Sequence, residues 1–431
     1  MVYFLLKFPV FVALTVYFRR IYFSGRERIP KNRPMIFAFN HPTAFIDSIL
    51  MPTIMPYRKH IFHFITRGDH FRKPIYAWMM RQINMVPIFR AQEGYQDPRR
   101  NDKTFKHCYD VLARKKHRVM IMSEGLALNA KRLKKVKKGT AWMALGAAED
   151  HGLEDVCIVP IGLTYENSNQ IRSTIMIDVG EVIEAKDYLE DFREDRMKAV
   201  AEMTEDLTEQ LRKHMIHVEQ PEDEEMVDQI LSINLNGRKE PFFPTLSRDR
   251  SLFSASNRIA EAVNQMNEED KELLRERLEN YQLALATAGV SDKGFSRRKR
   301  FSFGNTLLLL LGLIPFLLGF ALMAWPWYVG QYIANKRIRS RYLEFYASIR
   351  LAVSLGYMLI YLIVTTVLAL IFLGWWGLLI PAGLILLGYI ALWYRDLWKE
   401  WRAAAEVRRL TGEQVERLEL LREALLSLVI G

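Results

Sequence analysis

Two stretches of this chain carry no charged residue, Gly304 to Asn335 and Leu351 to Tyr394. No other feature narrows the possible folds as far. Backbone that enters lipid must satisfy its own hydrogen bonds, and a long apolar run does so as a helix. The second run has 44 residues, which at 1.5 Å each make about 66 Å of helix, enough to cross a hydrocarbon core about 30 Å thick twice. Gly374-Trp375-Trp376-Gly377 falls near its middle, so the expectation is two spans joined by an aromatic turn at the far interface. The first run has 32 residues, about 48 Å of helix, too long for one upright span and short for two. With Pro315 and Pro326 inside it and basic residues at both ends, it reads as a kinked hairpin dipping into the bilayer or as one tilted span. The chain is expected to be an integral membrane protein.

The formal net charge of +11 is compatible with a nucleic-acid partner, but the cations are not placed for one. Arg19-Arg20, Arg297-Arg298-Lys299-Arg300, Lys336-Arg337 and Arg339 with Arg341 flank the apolar runs, where basic residues mark the cytoplasmic side and meet anionic headgroups. Membrane lipids are therefore the expected partners and nucleic acid is not. Residence in the inner (cytoplasmic) membrane, with the working site facing the cytoplasm, follows as an expectation. The two cysteines, Cys108 and Cys157, lie outside the apolar runs and suggest no disulfide framework, as befits a reducing compartment. Residues Met1 to Phe18 are apolar and aromatic apart from Lys7. They make about 27 Å of helix, and with no basic start or small-residue cleavage site they read as an uncleaved anchor.

From Gly25 to about His217 short apolar runs alternate with helical stretches such as Thr104 to Arg114, the signature of a largely parallel sheet covered by helices. Met35–Phe39, His63–Thr66, Met85–Phe89, Val119–Met122, Cys157–Tyr165 and Thr174–Val179 are the expected strands. The first runs into Asn40-His41-Pro42-Thr43-Ala44-Phe45-Ile46-Asp47, which places His41 at the carboxyl end of a strand, where α/β folds hold their chemistry. Pro42 suits the first position of a new helix, with Asn40 or His41 near its cap. His41 and Asp47 are six positions apart, about 120° around a helix at about 100° per residue, so if they touch His41 must sit in the turn. A histidine oriented there by a carboxylate can take a proton from an alcohol. Alternatively His41 helps to cap the helix while Asp47 complements its dipole.

Three further constellations sit at strand ends. Arg90 follows Val86-Pro87-Ile88-Phe89 and has the fork geometry to bind phosphate or carboxylate. Met120-Ile121-Met122-Ser123-Glu124-Gly125 joins a strand to an acid and a glycine, whose neighbouring amides can face a developing oxyanion if the turn is not simply structural. Pro160 interrupts Cys157–Tyr165, arguing for a bulge or an edge strand. There is no Gly-rich nucleotide loop. His60, His63, His70, His107, His214 and His217 offer no convincing metal spacing, so no metal is expected.

The order Asn40-His41 with Asp47, Pro87-Ile88-Phe89-Arg90, Ser123-Glu124-Gly125 and Val159-Pro160-Ile161 resembles the four blocks of the glycerolipid acyltransferases, which acylate glycerol-3-phosphate or 1-acylglycerol-3-phosphate. The resemblance runs from about Gly25 to Ala185. It implies His41 as general base and Asp47 as its orienting acid. It also implies Arg90 as a ligand of the acceptor phosphate, Asn40, Glu124 and Gly125 near the acceptor, and Pro160 in the block associated with the acyl donor. Two departures bear on the acceptor. Five residues separate His41 from Asp47 where four are commonest, a spacing like that of some glycerol-3-phosphate acyltransferases. Leu126-Ala127-Leu128 stand where the family usually has Thr-Arg-Ser, so its arginine is missing. Lys131, Arg132, Lys134, Lys135, Lys137 and Lys138 either replace it or form a solvated, headgroup-facing patch. Arg67 is another candidate phosphate ligand.

The expected architecture is therefore an α/β acyltransferase-type sheet covered by helices, followed by a helical connector and a C-terminal α-helical membrane domain. The expected boundaries are an anchor at 1–24, the acyltransferase domain at 25–217, the connector at 218–300, and the membrane domain at 301–395 with segments 304–335 and 351–394. A cytoplasmic amphipathic helix follows at 396–431. The expected function is membrane-bound O-acyl transfer in phospholipid synthesis, with acyl carrier protein or CoA thioester as co-substrate, no cofactor and no assigned oligomeric state. The alternatives are another hydroxylated lipid as acceptor, or a non-catalytic lipid-binding scaffold.

Overall fold

The computed structural model describes residues 2–56, 60–89, 101–238, 242–337 and 343–430. The chain forms two compact units: Met1–His217 with Leu246–Arg250 and Leu343–Ser348, and Val218–Thr245 with Ser251–Tyr342 and Ile349–Gly431.

The first unit runs through α1 (Val2–Tyr17), β1 (Phe18–Ser24), β2 (Met35–Phe39), α2 (Ile46–Ile54), β3 (Ile61–Arg67), α3 (Pro74–Gln82) and β4 (Met85–Ile88). It continues with α4 (Asp102–Leu112), β5 (His117–Met122), α5 (Gly139–His151), β6 (Cys157–Tyr165), β7 (Ser173–Val179), β8 (Ile183–Glu184), α6 (Leu189–Glu194), α7 (Arg196–His214) and β9 (Leu246–Ser247). One sheet holds these strands in the order β4-β3-β5-β2-β6-β7-β1-β9, with β8 beside β6. β6 is antiparallel to β7 and β8, and the other pairings are parallel. β2 lies inside the sheet, and all five of its residues are fully buried, which is why its sequence is unbroken apolar rather than alternating. Ile36 and Ala38 pack into a core with Cys108 of α4, Met143 of α5 and Met203 of α7. Phe37 meets Phe62 edge-on at 5.1 Å.

Two expectations need correcting here. Arg19 and Arg20 are not an exposed basic flank. They lie in β1, 6% and 4% exposed, with Arg20 opposite Thr174 of β7. The apolar helix before them is therefore short, 16 residues or about 24 Å, and its end is buried at Leu14 and Tyr17 while Leu5 and Phe8 are about two-thirds exposed. Pro160 makes neither a bulge nor an edge. It sits within β6 opposite Ala38 of β2, and its carbonyl accepts from Gly180 N at 2.8 Å. A strand residue points its N and O to the same side, so the missing N–H faces the passage from β7 to β8, where the ladder is interrupted anyway.

The second unit contains α8 (Glu224–Gly237), α9 (Ser251–Gln265), α10 (Glu268–Ala288), α11 (Asp292–Ser296), α12 (Phe303–Met323), α13 (Trp325–Arg337), α14 (Leu343–Leu373, its first turn counted with the other unit), α15 (Ile380–Val407) and α16 (Gly412–Ile430). Two helical stretches, Phe303–Met323 and Glu344–Val407, are long and apolar enough to cross a membrane by length and composition. The second contains the aromatic turn: Gly374–Leu379 form a 3-10 segment between α14 and α15, entered by Gly374 at φ 57°. α12 continues through Pro315 and stops at Ala324, ahead of Pro326, so the break lies at the second proline. α12 and α15 pack closely, because a Cβ on Gly319 would come within 2.3 Å of the Leu387 carbonyl.

The expected connector and tail are not separate from this body. α15 passes position 395 without interruption to Val407, and α16 starts only at Gly412. α10 packs on α16 and α11 on α15. Arg297 and Arg300 pair with the buried Glu400, and Arg422 pairs with Asp292 at 3.3 Å. Helices α8 to α11 of the expected connector and α15 and α16 of the expected tail thus pack within one unit, while Leu246–Arg250 belong to the other.

Candidate active site

β2 ends at Phe39 opposite Met122 of β5 and Ile161 of β6, so the residues after these three strands gather at the carboxyl edge of the sheet. Asn40 comes first. Its side-chain amide donates to Leu163 O at 2.9 Å and its Oδ1 accepts from Leu163 N at 2.7 Å. Both ends are engaged by β6 and the residue is 2% exposed, so Asn40 ties two strands together and is not available to a substrate.

His41 follows in the turn. Its backbone is held on both sides: the N–H donates to Glu124 Oε2 at 2.5 Å, and the carbonyl accepts from Leu128 N at 3.0 Å. Its ring Nδ1 lies 2.9 Å from Asp47 Oδ2. A carboxylate can only accept, so Nδ1 is the donor, and in the neutral imidazole Nε2 keeps its lone pair. The His41 side chain is 14% exposed while that of Asp47 is fully buried, so solvent or substrate reaches the ring and not the acid.

The approach is possible because helix α2 starts at Ile46 rather than Pro42. Residues 42–45 make a turn that brings Asp47, in the first turn of α2, back onto the histidine. Three further donors fix Asp47: Thr43 N at 2.8 Å and Thr43 Oγ1 at 2.6 Å, and Tyr165 OH at 2.6 Å. Burial first, then the Asp47 charge, pushes the Tyr165 hydroxyl well above its usual range, so it stays a donor. Phe45, the N-cap of α2, has no side-chain group to offer. Ser348 Oγ supplies the acceptor instead, at 3.0 Å from Phe45 N and 3.4 Å from Ile46 N, and Phe345 meets Phe45 edge-on at 6.1 Å. Thr43, Tyr165 and Ser348 were not among the residues anticipated from sequence. Thr43 lies in the motif itself and Tyr165 ends the expected strand Cys157–Tyr165, but nothing local points to Ser348, 303 positions from Phe45.

Glu124 is 5% exposed. Its second oxygen accepts from Lys134 N at 2.7 Å, so the carboxylate joins the His41 turn to the loop that follows β5. It positions that loop, with each of its oxygens already accepting one backbone amide. Burial pushes its pKa up against the pull of the two amides and of neighbouring cations. Gly125 turns the chain at φ 77°, a conformation that favours glycine, and its amide is engaged by Met122 O at 3.0 Å. Leu133 and Val136 anchor the loop in the core, while Lys135, Lys137 and Lys138 are exposed.

Arg67 ends β3 and donates to Asp69 Oδ2 at 2.7 Å, its side chain 42% exposed. With β5 between β3 and β2, it stands roughly 10 Å along the same edge from the His41 strand, at about 4.8 Å per strand spacing. Arg90 lies outside the described residues. Next to it, Asn101 grips Phe89 at both backbone groups, at 2.9 and 2.7 Å. Among the described residues, no cluster of three or more His, Cys, Asp or Glu is placed to hold a metal ion.

Residues 20–164 match the family model described as Acyltransferase. The chain is similar to the chloroplastic 1-acyl-sn-glycerol-3-phosphate acyltransferase LPAT1 of Arabidopsis thaliana, 30% identical over 164 residues, 36% of this chain and 41% of that protein. It is also similar to glycerol-3-phosphate O-acyltransferase 2 of Saccharomyces cerevisiae, 33% identical over 113 residues, 26% of this chain and 15% of that one. The chain thus spans less than half the length of either relative. Among solved structures it resembles the LPA acyltransferase PlsC of Thermotoga maritima, at 17% identity and a TM-score of 0.33, over 48% of this chain and 77% of that one. Residues 20–164, which hold the His41–Asp47 pair and Glu124, thus match the Acyltransferase family model and are similar in sequence to parts of two glycerolipid acyltransferases.

Proposed function

We propose that this protein transfers a fatty acyl group from an acyl thioester, on acyl carrier protein or CoA, to the hydroxyl of glycerol-3-phosphate or 1-acylglycerol-3-phosphate. The observation that carries the proposal is the imidazole of His41, held through Nδ1 by the buried Asp47 and open at the strand edge where β5 also ends, with β6 running past it to Tyr165. Nε2 takes the acceptor's hydroxyl proton while that oxygen attacks the thioester carbonyl. The tetrahedral adduct collapses, the carbon–sulfur bond breaks, and the imidazolium returns its proton to the departing thiolate. Asp47 stabilises the imidazolium between those steps without itself being protonated. Neither a cofactor nor a protein nucleophile takes part. Arg67, Arg90 and the lysines of the loop after β5 are the proposed phosphate contacts. Acceptors of this class are named in both curated relatives.

The proposal assigns catalysis to 25–217 and membrane attachment to 301–395. Phe303–Met323 and the two halves of Glu344–Val407 would enter the inner (cytoplasmic) membrane, with the site on the cytoplasmic side. One observation favours a second acceptor class. Leu126 and Leu128, in the stretch after Glu124-Gly125 that departs from the family pattern, are 52% and 38% exposed, which suits a hydroxylated lipid with less phosphate character.

The test uses membranes containing the wild-type protein or His41→Ala, given labelled acyl thioester and each acceptor in turn. Product that depends on His41 from one phosphate acceptor supports the reading and names the substrate. Undiminished turnover by purified, folded His41→Ala refutes the assigned base. Loss of product with both phosphate acceptors but not with a neutral hydroxylated lipid selects the second class, and failure with all acceptors leaves the lipid-binding scaffold.

A further inference from the structure

α3 leaves large apolar side chains uncovered, where α2, α4, α5 and α6 leave none exposed. Ile75, Trp78 and Met79 lie at helical spacing on one face and are 66%, 61% and 53% exposed, Tyr76 beside them is 49% exposed, and only Ala77 is buried. A globular surface scatters single apolar residues but seldom groups two aromatics, an isoleucine and a methionine on nine residues. Its surroundings are as one-sided in charge. Arg72, Lys73 and Arg81 are exposed, Lys73 Nζ stands 5.7 Å from the centre of the Tyr76 ring, and no acidic residue occurs between His70 and Asn84. α3 follows β3 by a single 3-10 turn, Gly68–Phe71. Since β3, β5 and β2 are parallel, the N-terminal end of α3 lies at the same sheet edge as His41 and the exposed Lys135, Lys137 and Lys138.

We propose that α3 is an interfacial foothold that inserts its Ile75–Trp78–Met79 face into the surface of an anionic lipid bilayer. Apolar and aromatic side chains with cations beside them match the two layers they would meet, hydrocarbon below and phosphate headgroups above. A helix held this way sinks its apolar face about 5–10 Å into the headgroup boundary. A protein partner or a second copy of this chain would cover the apolar face, but would have to bring its own acidic rim to meet Arg72, Lys73 and Arg81. A bilayer supplies both at once, and the same chain holds two helical stretches of membrane-crossing length. The foothold stands independently of the reaction assigned to His41. Its consequence is that the sheet edge with His41 faces the lipid surface and can receive an acceptor without the lipid leaving the membrane.

The experiment is spin-label depth measurement on the full chain in lipid nanodiscs. Trp78→Cys and, separately, Ile75→Cys carry the label, and Lys198→Cys on α7, whose side chain is 64% exposed, is the reference. The native Cys108 and Cys157 are fully buried. In discs containing phosphatidylglycerol, labels at 75 and 78 should collide freely with dissolved oxygen and be shielded from an aqueous nickel chelate, while the label at 198 meets the chelate. Arg72→Glu, Lys73→Glu and Arg81→Glu together should raise chelate contact at 78 several-fold and leave 198 unchanged, with an unaltered thermal unfolding midpoint showing that the variant is folded. Free chelate contact at 75 and 78 in anionic discs overturns the proposal. So does exclusion of both probes, which means that protein covers the face, and so does indifference to the charge reversal.

Discussion

Tyr165 offers the most searching test of the proposed chemistry, because it touches the acid and not the base. Its hydroxyl is one of two donors to Asp47 Oδ1, the other being Thr43 Oγ1, and Asp47 is wholly buried. Tyr165→Phe removes that donor with little change in volume. Hydrogen bonds to a charged group are worth about 1.5–3 kcal/mol, and no water takes the vacated place on a buried carboxylate. Stability should fall by about that amount. The carboxylate also gains freedom to turn about Cβ–Cγ, loosening its grip on His41 Nδ1 at 2.9 Å. If roughly half of the lost energy appears at the chemical step, kcat falls about 3–10-fold, at about 1.4 kcal/mol per tenfold. The acceptor KM should stay within about twofold, since Tyr165 reaches no substrate in this scheme. Removing the carboxylate itself by Asp47→Asn should cost far more, about a thousandfold or greater. The assay is initial-rate acyl transfer in detergent, normalised to folded protein, alongside thermal unfolding. Unchanged kcat in Tyr165→Phe with the expected loss of stability would show that Asp47 does not orient a catalytic base.

Three further outcomes are expected. Glu124→Gln places an NH2 group against one of the two amides that the carboxylate now accepts, His41 N or Lys134 N; kcat should fall by about tenfold or more with acceptor KM little changed, whereas a substrate contact would raise KM. His63 Nε2 lies 2.9 Å from His117 Nδ1, and burial, with His117, His107 and Arg114 adding to it, lowers the His63 pKa to about 4. The unfolded chain takes up its proton near pH 6.5, so His63 has no effect above that value. Between pH 6.5 and 4 it destabilises the fold increasingly, up to about 3 kcal/mol, and His63→Gln should flatten that part of the stability–pH curve measured by denaturant unfolding. Gly319→Ala must push α12 away from the Leu387 carbonyl, 2.3 Å from the new Cβ. An overpacking penalty of about 1–3 kcal/mol should lower the thermal midpoint, and an unchanged midpoint would argue against close α12–α15 packing.

Much of the sheet was legible because buried parallel strands write themselves as continuous apolar runs. Met35–Phe39 and Cys157–Tyr165 match β2 and β6 end to end, and the other four expected strands fall within a residue or two of β3, β4, β5 and β7. β1 was not legible. Arg19 and Arg20 look like a membrane flank, and they become strand residues because β7 pairs along this segment, with Arg20 opposite Thr174. The short β8 and β9 have no sequence signature at all.

For the site, the separation of six positions from His41 to Asp47 required that any contact place the histidine in a turn, and the chain does this at 2.9 Å. What sequence could not assign was which polar groups were already engaged. Asn40, Glu124 and Gly125 looked available until Leu163, Lys134, His41 and Met122 proved to be their partners, and Ser348 arrives from 303 residues away. Composition and periodicity alone determine which segments must leave water and in what local form, because burial energy depends on each residue's own chemistry and spacing. Which donor meets which acceptor was decided only by the tertiary structure, since the neighbours of a strand end are chosen by sheet order, and sheet order joins residues that no local pattern connects.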